Sequence, residues 1–242
     1  MFTVFSSIMR EAHRMSFTEE NKLRNADIEY PKIEKTTLNV YTKEEVKNFF
    51  EKLQNESPKY RALLFSSLLS GLRRAEVVAL TWDDIDFENQ CIRVNKSAYK
   101  LPKKPQDLKF TKSSYSNRIV FFSDSLASIL IEWRTAQNIE KQKAGRSWNE
   151  HNFVFTDLKG NMMSIYSPTR IFSQVQKKYG LRHLKFHGLR HTCASLLIAQ
   201  GIDIETVKDI LGHSDIETTK IYLHAYDDKK KNAANILGNI IQ

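Results

Sequence analysis

The chain has 242 residues, 41% of them hydrophobic and 27% charged, which supplies enough apolar side chain for a core and excludes a wholly disordered polymer. Lys and Arg number 37 against 28 Asp and Glu, a formal charge of +9, and that balance suggests a polyanionic partner such as nucleic acid or an acidic membrane surface. Cys91 and Cys193 lie far apart with no metal-ligand spacing, so neither a disulfide framework nor a structural zinc site is expected. No apolar run approaches the ~20 residues of a membrane span. Arg10, Glu11, His13 and Arg14 stand where a signal peptide needs its apolar centre, so a cytoplasmic protein is expected.

In chain order, Phe2, Phe5, Ile8, Met9, Ala12 and Met15 recur at helical spacing and predict a helix over 1–24. Residues 25–39 read as a polar linker around Pro31. Together they suggest the last helix of a truncated N-terminal domain, followed by a connection. The main domain is expected over 40–226. Thr42 and Glu45 form a capping-box pair ahead of Val46, Phe49, Phe50 and Leu53. Pro58 opens a second apolar helix through Leu69, Gly71 breaks it, and a short helix follows over 74–80.

Residues 85–95 and 115–122 read as strands, with Ile92 and Val94 in one and Ile119 and Phe121 in the other. From Cys91 to Arg118 there are eight Lys and Arg against a single acid, Asp107, as in a basic hairpin. Helices resume over 124–142 and, after a strand at 153–155, over 168–179, with Ser167–Pro168 as N-cap and first helical residue. Helices over 188–200, 204–211 and 215–224 are punctuated by Gly201 and Gly212, with Ser214 and Glu217 as another capping box. A tail helix is predicted over 227–242. The fold class expected is mainly α with a small antiparallel β-sheet (α+β).

Four places could carry chemistry. Arg73 follows the Gly71 break and can sit at a helix N-terminus, where the dipole favours an anion, with Glu76 three residues on to fix its guanidinium. His187 and Arg190 are three apart and share a helix face, so an imidazole and a guanidinium could grip one phosphate. His213 follows Gly212 at a turn, and Tyr222 lies nine residues later, where nearby positive charge could activate a phenol. Lys112 falls near the tip of the basic hairpin, able to reach a phosphate or donate a proton. Taken singly, each has a plainer explanation: a surface ion pair, an incidental histidine, a packed tyrosine, a solvated lysine.

The set is more specific than its members. Ser-Gly-Leu-Arg-Arg-Ala-Glu at 70–76, Thr-Lys-Ser at 111–113, His-Gly-Leu-Arg-His at 187–191 and Leu-Gly-His-Ser-Asp-Ile-Glu-Thr-Thr-Lys-Ile-Tyr at 211–222 occur in the order seen in the tyrosine recombinase (phage integrase) family, which the chain resembles over about 40–226. Residues 1–36 are similar to the end of that family's core-binding domain and its linker.

The resemblance implies strand cutting by transesterification and a site-specific DNA recombinase or integrase. Tyr222 would attack the scissile phosphate, Arg73 and Arg190 would stabilise the transition state, and Lys112 would protonate the departing 5′-oxygen. His187 would act as acid or base, taking the tyrosine's proton or restoring it, His213 would bond the phosphate, and Glu76 would orient the cleft. His191 matches the pattern and reads as structural. Tyr226 and Tyr115 are nearby phenols that the spacing disfavours. Arg74, Lys96, Lys109 and Lys185 are expected to meet DNA.

No cofactor or metal is implied. The implied partners are double-stranded DNA at attachment sites, a homotetramer on DNA, and directionality or bending factors, with no membrane. The tail would dock on a neighbouring protomer or fold back on its own domain. Alternatives with the same residues are a type IB topoisomerase, a chromosome-dimer resolvase, and a non-catalytic DNA-binding homologue.

Overall fold

The structure, a computed structural model, describes residues 2–19, 38–110 and 117–222, in two units, 1–37 and 38–242. In the first, helix α1 (Phe2–Arg14) ends ten residues short of the predicted 24. The chain turns there, with Ser16 in the left-handed region at φ 59°. The linker, the predicted tail helix and Tyr226 lie outside the described residues, apart from the linker's last two residues.

The second unit is built around α3 (Pro58–Leu69), whose residues from Ala62 through Leu68 are all buried. A helix covered on every side is the centre of its domain. α5 (Asp124–Ala144), α6 (Ser167–Tyr179) and α7 (Phe186–Gln200) pack around it. α2 (Lys43–Leu53) starts at the predicted capping box. Thr42 accepts from the Glu45 amide at 3.2 Å, and Glu45 accepts from the Thr42 amide at 2.7 Å. That cap turns Phe49 and Leu53 into the core.

The basic region holds two antiparallel sheets rather than the single one expected. β1 (Ile85–Asp86), β2 (Cys91–Val94) and β5 (Arg118–Phe121) form one, in the order β1-β2-β5. β3 (Lys96–Lys100) and β4 (Gln106–Phe110) form a separate hairpin. Its small apolar contacts, Ala98 opposite Leu108, rest on Val78 and Ala79 of α4 (Arg74–Ala79).

The strand predicted at 153–155 is an isolated bridge between Phe153 and Thr81. Side chains satisfy much of its backbone. Trp133 Nε1 donates to the Val154 carbonyl at 2.7 Å, and Gln137 Nε2 to the Phe153 carbonyl at 3.1 Å.

α8 (Ile204–Leu211) and α9 (Glu217–Lys220) close the described chain. α7 and α8 stop at Gly201 and Gly212, both left-handed C-caps with φ 99° and 66°, a conformation open to glycine at little steric cost. α9 is shorter than the 215–224 predicted, because the turn after Gly212 runs on to Ile216 before the helix begins.

Candidate active site

Two glycine turns meet at the site. Gly71, after α3, has φ +58°, and a Cβ built on it would lie 2.8 Å from Leu211 Cδ2. The Gly212 turn therefore packs directly against the Gly71 turn. Arg190, on α7, joins them from within: one guanidinium nitrogen donates to the Gly71 carbonyl and another to the Leu211 carbonyl, each at 2.7 Å. The side chain is 1% exposed. Its Nε has no hydrogen-bond partner among the described residues.

Arg73 is the N-cap residue of α4. Its guanidinium donates to the Gly212 carbonyl at 2.9 Å and to Glu76 Oε1 at 2.8 Å, while its amide donates to Glu76 Oε2 at 2.8 Å. Glu76 is thus held where the sequence placed it. The far side of its carboxylate is taken by Arg118, at the start of β5, through two bonds of 3.2 and 2.9 Å. Arg118 also donates from Nε to the Ile210 carbonyl at 2.8 Å. The Glu76 and Arg118 side chains are 5% and 6% exposed.

Burial opposes the charge on Glu76, but Arg118 and Arg73 outweigh it and hold the carboxyl at about 2. Burial and the neighbouring Arg73 push Arg190 down to about 9, so it stays charged at neutral pH. Burial, then the surrounding guanidiniums led by Arg190, push His213 down to about 4. Its Nδ1 lies 2.9 Å from the Thr219 hydroxyl. His187 is also lowered, by burial and by Arg190.

Tyr222 lies one residue past the C-cap of α9 and packs on Ala194, Ile198, Val207 and Leu211. It is 1% exposed, and burial raises its hydroxyl to about 12. The hydroxyl lies 2.6 Å from Nδ1 of His191. The His187 ring stands edge-on to the His191 ring at 4.6 Å and 85°.

Five of the six residues singled out for chemistry are therefore in one neighbourhood: Arg73, His187, Arg190, His213 and Tyr222. Lys112 and Tyr115 lie outside the described residues. The β3–β4 turn occupies 101–105, and Lys112 follows β4 in sequence.

Beside Arg73 and His187 opens a cavity of about 560 Å³, lined also by Arg74, Thr169, His183 and Lys185. Lys185 and Lys109 are exposed. Arg74 donates to the Thr169 hydroxyl at 3.1 Å and lies over the Tyr166 ring. Lys96 does not face outward as expected. Its ammonium is 2.6 Å from Asp84, with side-chain exposures of 13% and 6%. An inward strand position and a buried carboxylate, already bonded by the Thr81 amide and hydroxyl but lacking a counter-charge, explain this pairing.

Sequence reasoning missed Arg118 and the contact made by His191. Strand alternation offered a signal for the first: Arg118 shares the buried face of β5 with Val120. For the second, His191 is one helical turn after His187 and hence on the same face.

The family model "Phage integrase family" matches residues 39–229. The chain is 32% identical over 219 residues to the tyrosine recombinase XerC-like protein of Caldanaerobacter subterraneus subsp. tengcongensis, covering 85% of this chain and 55% of that protein. It is 30% identical over 207 residues to the ICEBs1 integrase of Bacillus subtilis, covering 82% and 54%. The chain thus spans about half the length of the curated relatives it matches.

Among solved structures, the Tn1549 transposon integrase in complex with circular intermediate DNA superposes with a TM-score of 0.68 at 23% identity, over 88% of this chain and 69% of that one. The XerA recombinase does so with 0.65 at 20% identity, over 81% and 64%. At these identities the structures establish a shared fold.

Proposed function

The chain belongs to the phage integrase family, the tyrosine recombinases, and on that footing we propose that it is a site-specific DNA recombinase working through a 3′-phosphotyrosyl intermediate. The observation that carries this reading is a surplus of fixed positive charge beside a phenol. Three guanidiniums, Arg73, Arg118 and Arg190, surround the single carboxylate of Glu76. Such a site is short of an anion, and a phosphodiester supplies one.

Tyr222 Oη attacks the scissile phosphorus, the bond to the 5′-oxygen breaks, and the strand is left joined to the protein. The freed 5′-hydroxyl of a partner duplex reverses the step and exchanges strands. The phosphodiester bond energy is retained in the phosphotyrosine, so no nucleotide is consumed.

Arg73 and Arg190 are held by carbonyls and by Glu76 before substrate arrives. Their remaining N–H groups need little reorganisation to meet charge developing on the non-bridging oxygens. His213 bonds the same phosphate, His187 assists proton transfer at it, and Lys112 protonates the 5′-oxygen. The buried Tyr222 requires the site to open before attack. Arg74, Lys109 and Lys185 contact the DNA backbone.

Residues 40–226 are the catalytic domain. The segment at 1–24 with its helix α1, the linker at 25–39 and the tail at 227–242 serve the DNA clamp and the contact between protomers. The substrate is duplex DNA at attachment sites, engaged in the cytoplasm by four protomers, with directionality or bending factors setting the outcome.

The test is capture. Nicked suicide duplexes made from fragments of the source genome are mixed with the chain without added metal, and SDS-resistant adducts are recovered and sequenced. One defined site among the adducts is the expected result. Adducts on unrelated sequences, with relaxation of supercoiled DNA, favour a topoisomerase. Retention without any adduct favours a non-catalytic binder.

A further inference from the structure

We infer that His191 is the group that takes the proton from the Tyr222 hydroxyl during attack. The inference rests on the recombinase reading and assigns one of its proton transfers to a residue of this chain.

The geometry is direct. His191 Nδ1 lies 2.6 Å from Tyr222 Oη, inside the reach of about 2.6–3.2 Å that a general base needs. The rings lie 5.5 Å apart at 48°. His187, four residues earlier, makes a T-shaped contact with the His191 ring, and it is His191 whose nitrogen meets the phenol. It is therefore free to face the phosphate from the cavity it lines with Arg73.

The charged and titratable neighbours support the assignment. On its own helix His191 faces His187 and Arg190. Burial, then these two groups, keep it down at about 4, so at neutral pH it is uncharged and can offer a lone pair. With the hydroxyl donating to Nδ1, the neutral ring carries its own proton on Nε2. Tyr222 faces Arg190, Arg73 and Cys193, and its burial holds the proton on the free chain. A phosphodiester entering among the guanidiniums cancels part of the positive field that holds His191 down. Proton acceptance then becomes easier at the moment the substrate is in place.

The step balances. The Oη–H proton passes to His191 Nδ1 as the Oη–P bond forms. The P–O5′ bond breaks, and the 5′-oxygen takes its proton from Lys112. In rejoining, His191 returns the proton to the departing phenolate.

The experiment uses the intact chain on a captured suicide duplex and on the same duplex with a 5′-bridging sulfur, a leaving group that needs no protonation. His191→Ala is expected to slow adduct formation by at least about 100-fold, the lower range for a general base, with either leaving group. Added imidazole should restore it in proportion to the neutral imidazole present. Lys112→Ala should instead be rescued by sulfur.

His191→Gln, which keeps a hydrogen-bond acceptor but is no base, should stay slow while melting like wild type. On the wild-type chain, the sulfur substrate should show a rate that levels off by pH 7.

Four results would overturn the inference alone: an undiminished or faster His191→Gln enzyme, rescue of His191→Ala by sulfur, indifference to imidazole, or a wild-type rate still rising tenfold per pH unit beyond pH 8. A wild-type chain that forms no adduct on any duplex would overturn the recombinase reading itself.

Discussion

Replacing Glu76 by Gln tests whether the buried carboxylate organises the site. Gln has nearly the same shape but no charge, and its amide nitrogen would face a guanidinium, donor against donor. Arg118, 6% exposed, would be left without its counter-ion, and breaking a buried pair in this way costs about 3–5 kcal/mol. The lowered carboxyl leads to a similar figure. A carboxyl moved from 4.5 to about 2 contributes roughly 3 kcal/mol at neutral pH, at about 1.4 kcal/mol per pH unit.

The sign follows from the direction of the shift. The folded carboxyl titrates below the unfolded one, so its contribution is complete above about pH 4.5 and is lost as pH falls toward 2. Urea unfolding followed by far-ultraviolet circular dichroism should show Glu76→Gln less stable by about 3 kcal/mol at pH 7. The gap between the variant and wild type should narrow as pH drops below 4.5. A loss under about 1 kcal/mol, or a gap independent of pH, would refute the claim that this carboxylate is charged and holds both arginines.

Other expectations follow from the same contacts. Gly71→Ala places a side chain at φ +58° and against Leu211. Calorimetry should show a loss of at least about 1–2 kcal/mol, and adduct formation should fall because the Gly71 carbonyl anchors Arg190. Burial keeps His191 and His213 titrating at about 4, so their ring-proton resonances should stay still from pH 7.5 to 5.5; midpoints between 6 and 7 would contradict it. Because unfolded histidines protonate first, near 6.5, these two destabilise the fold as pH falls from there toward 4. Lys185→Ala should weaken DNA binding and reduce the salt slope of log K by about 1. Lys96→Met should leave that slope unchanged while costing about 3–5 kcal/mol of stability, since it leaves the buried Asp84 carboxylate without its counter-charge.

Local signals were legible in the residues themselves. The Thr42–Glu45 box, the breaks at Gly71, Gly201 and Gly212, and the reach of Glu76 back to Arg73 all act within four residues, and each is found. What escaped depends on partners far away in the chain. The second sheet was hidden because the β3–β4 hairpin has few apolar side chains to mark an inward face. The segment at 153–155 is apolar like a strand, yet Trp133 and Gln137 take over much of its hydrogen bonding. Lys96 was counted with the outward charges, although alternation puts it on the same side as buried Ala98. Arg118 and Glu76 are 42 residues apart, and no local spacing predicts that pair. The Tyr222–His191 bond, across 31 residues, is the same kind of contact.

The most direct measurement is to locate the covalent bond. An adduct from a captured duplex is digested with protease and nuclease, and the nucleotide-bearing peptide is sequenced by mass spectrometry. A phosphodiester on Tyr222, reached through the site of Arg73, Arg190 and His213, is the expected result. A nucleotide on Tyr226, on Tyr115 or on a serine would contradict it.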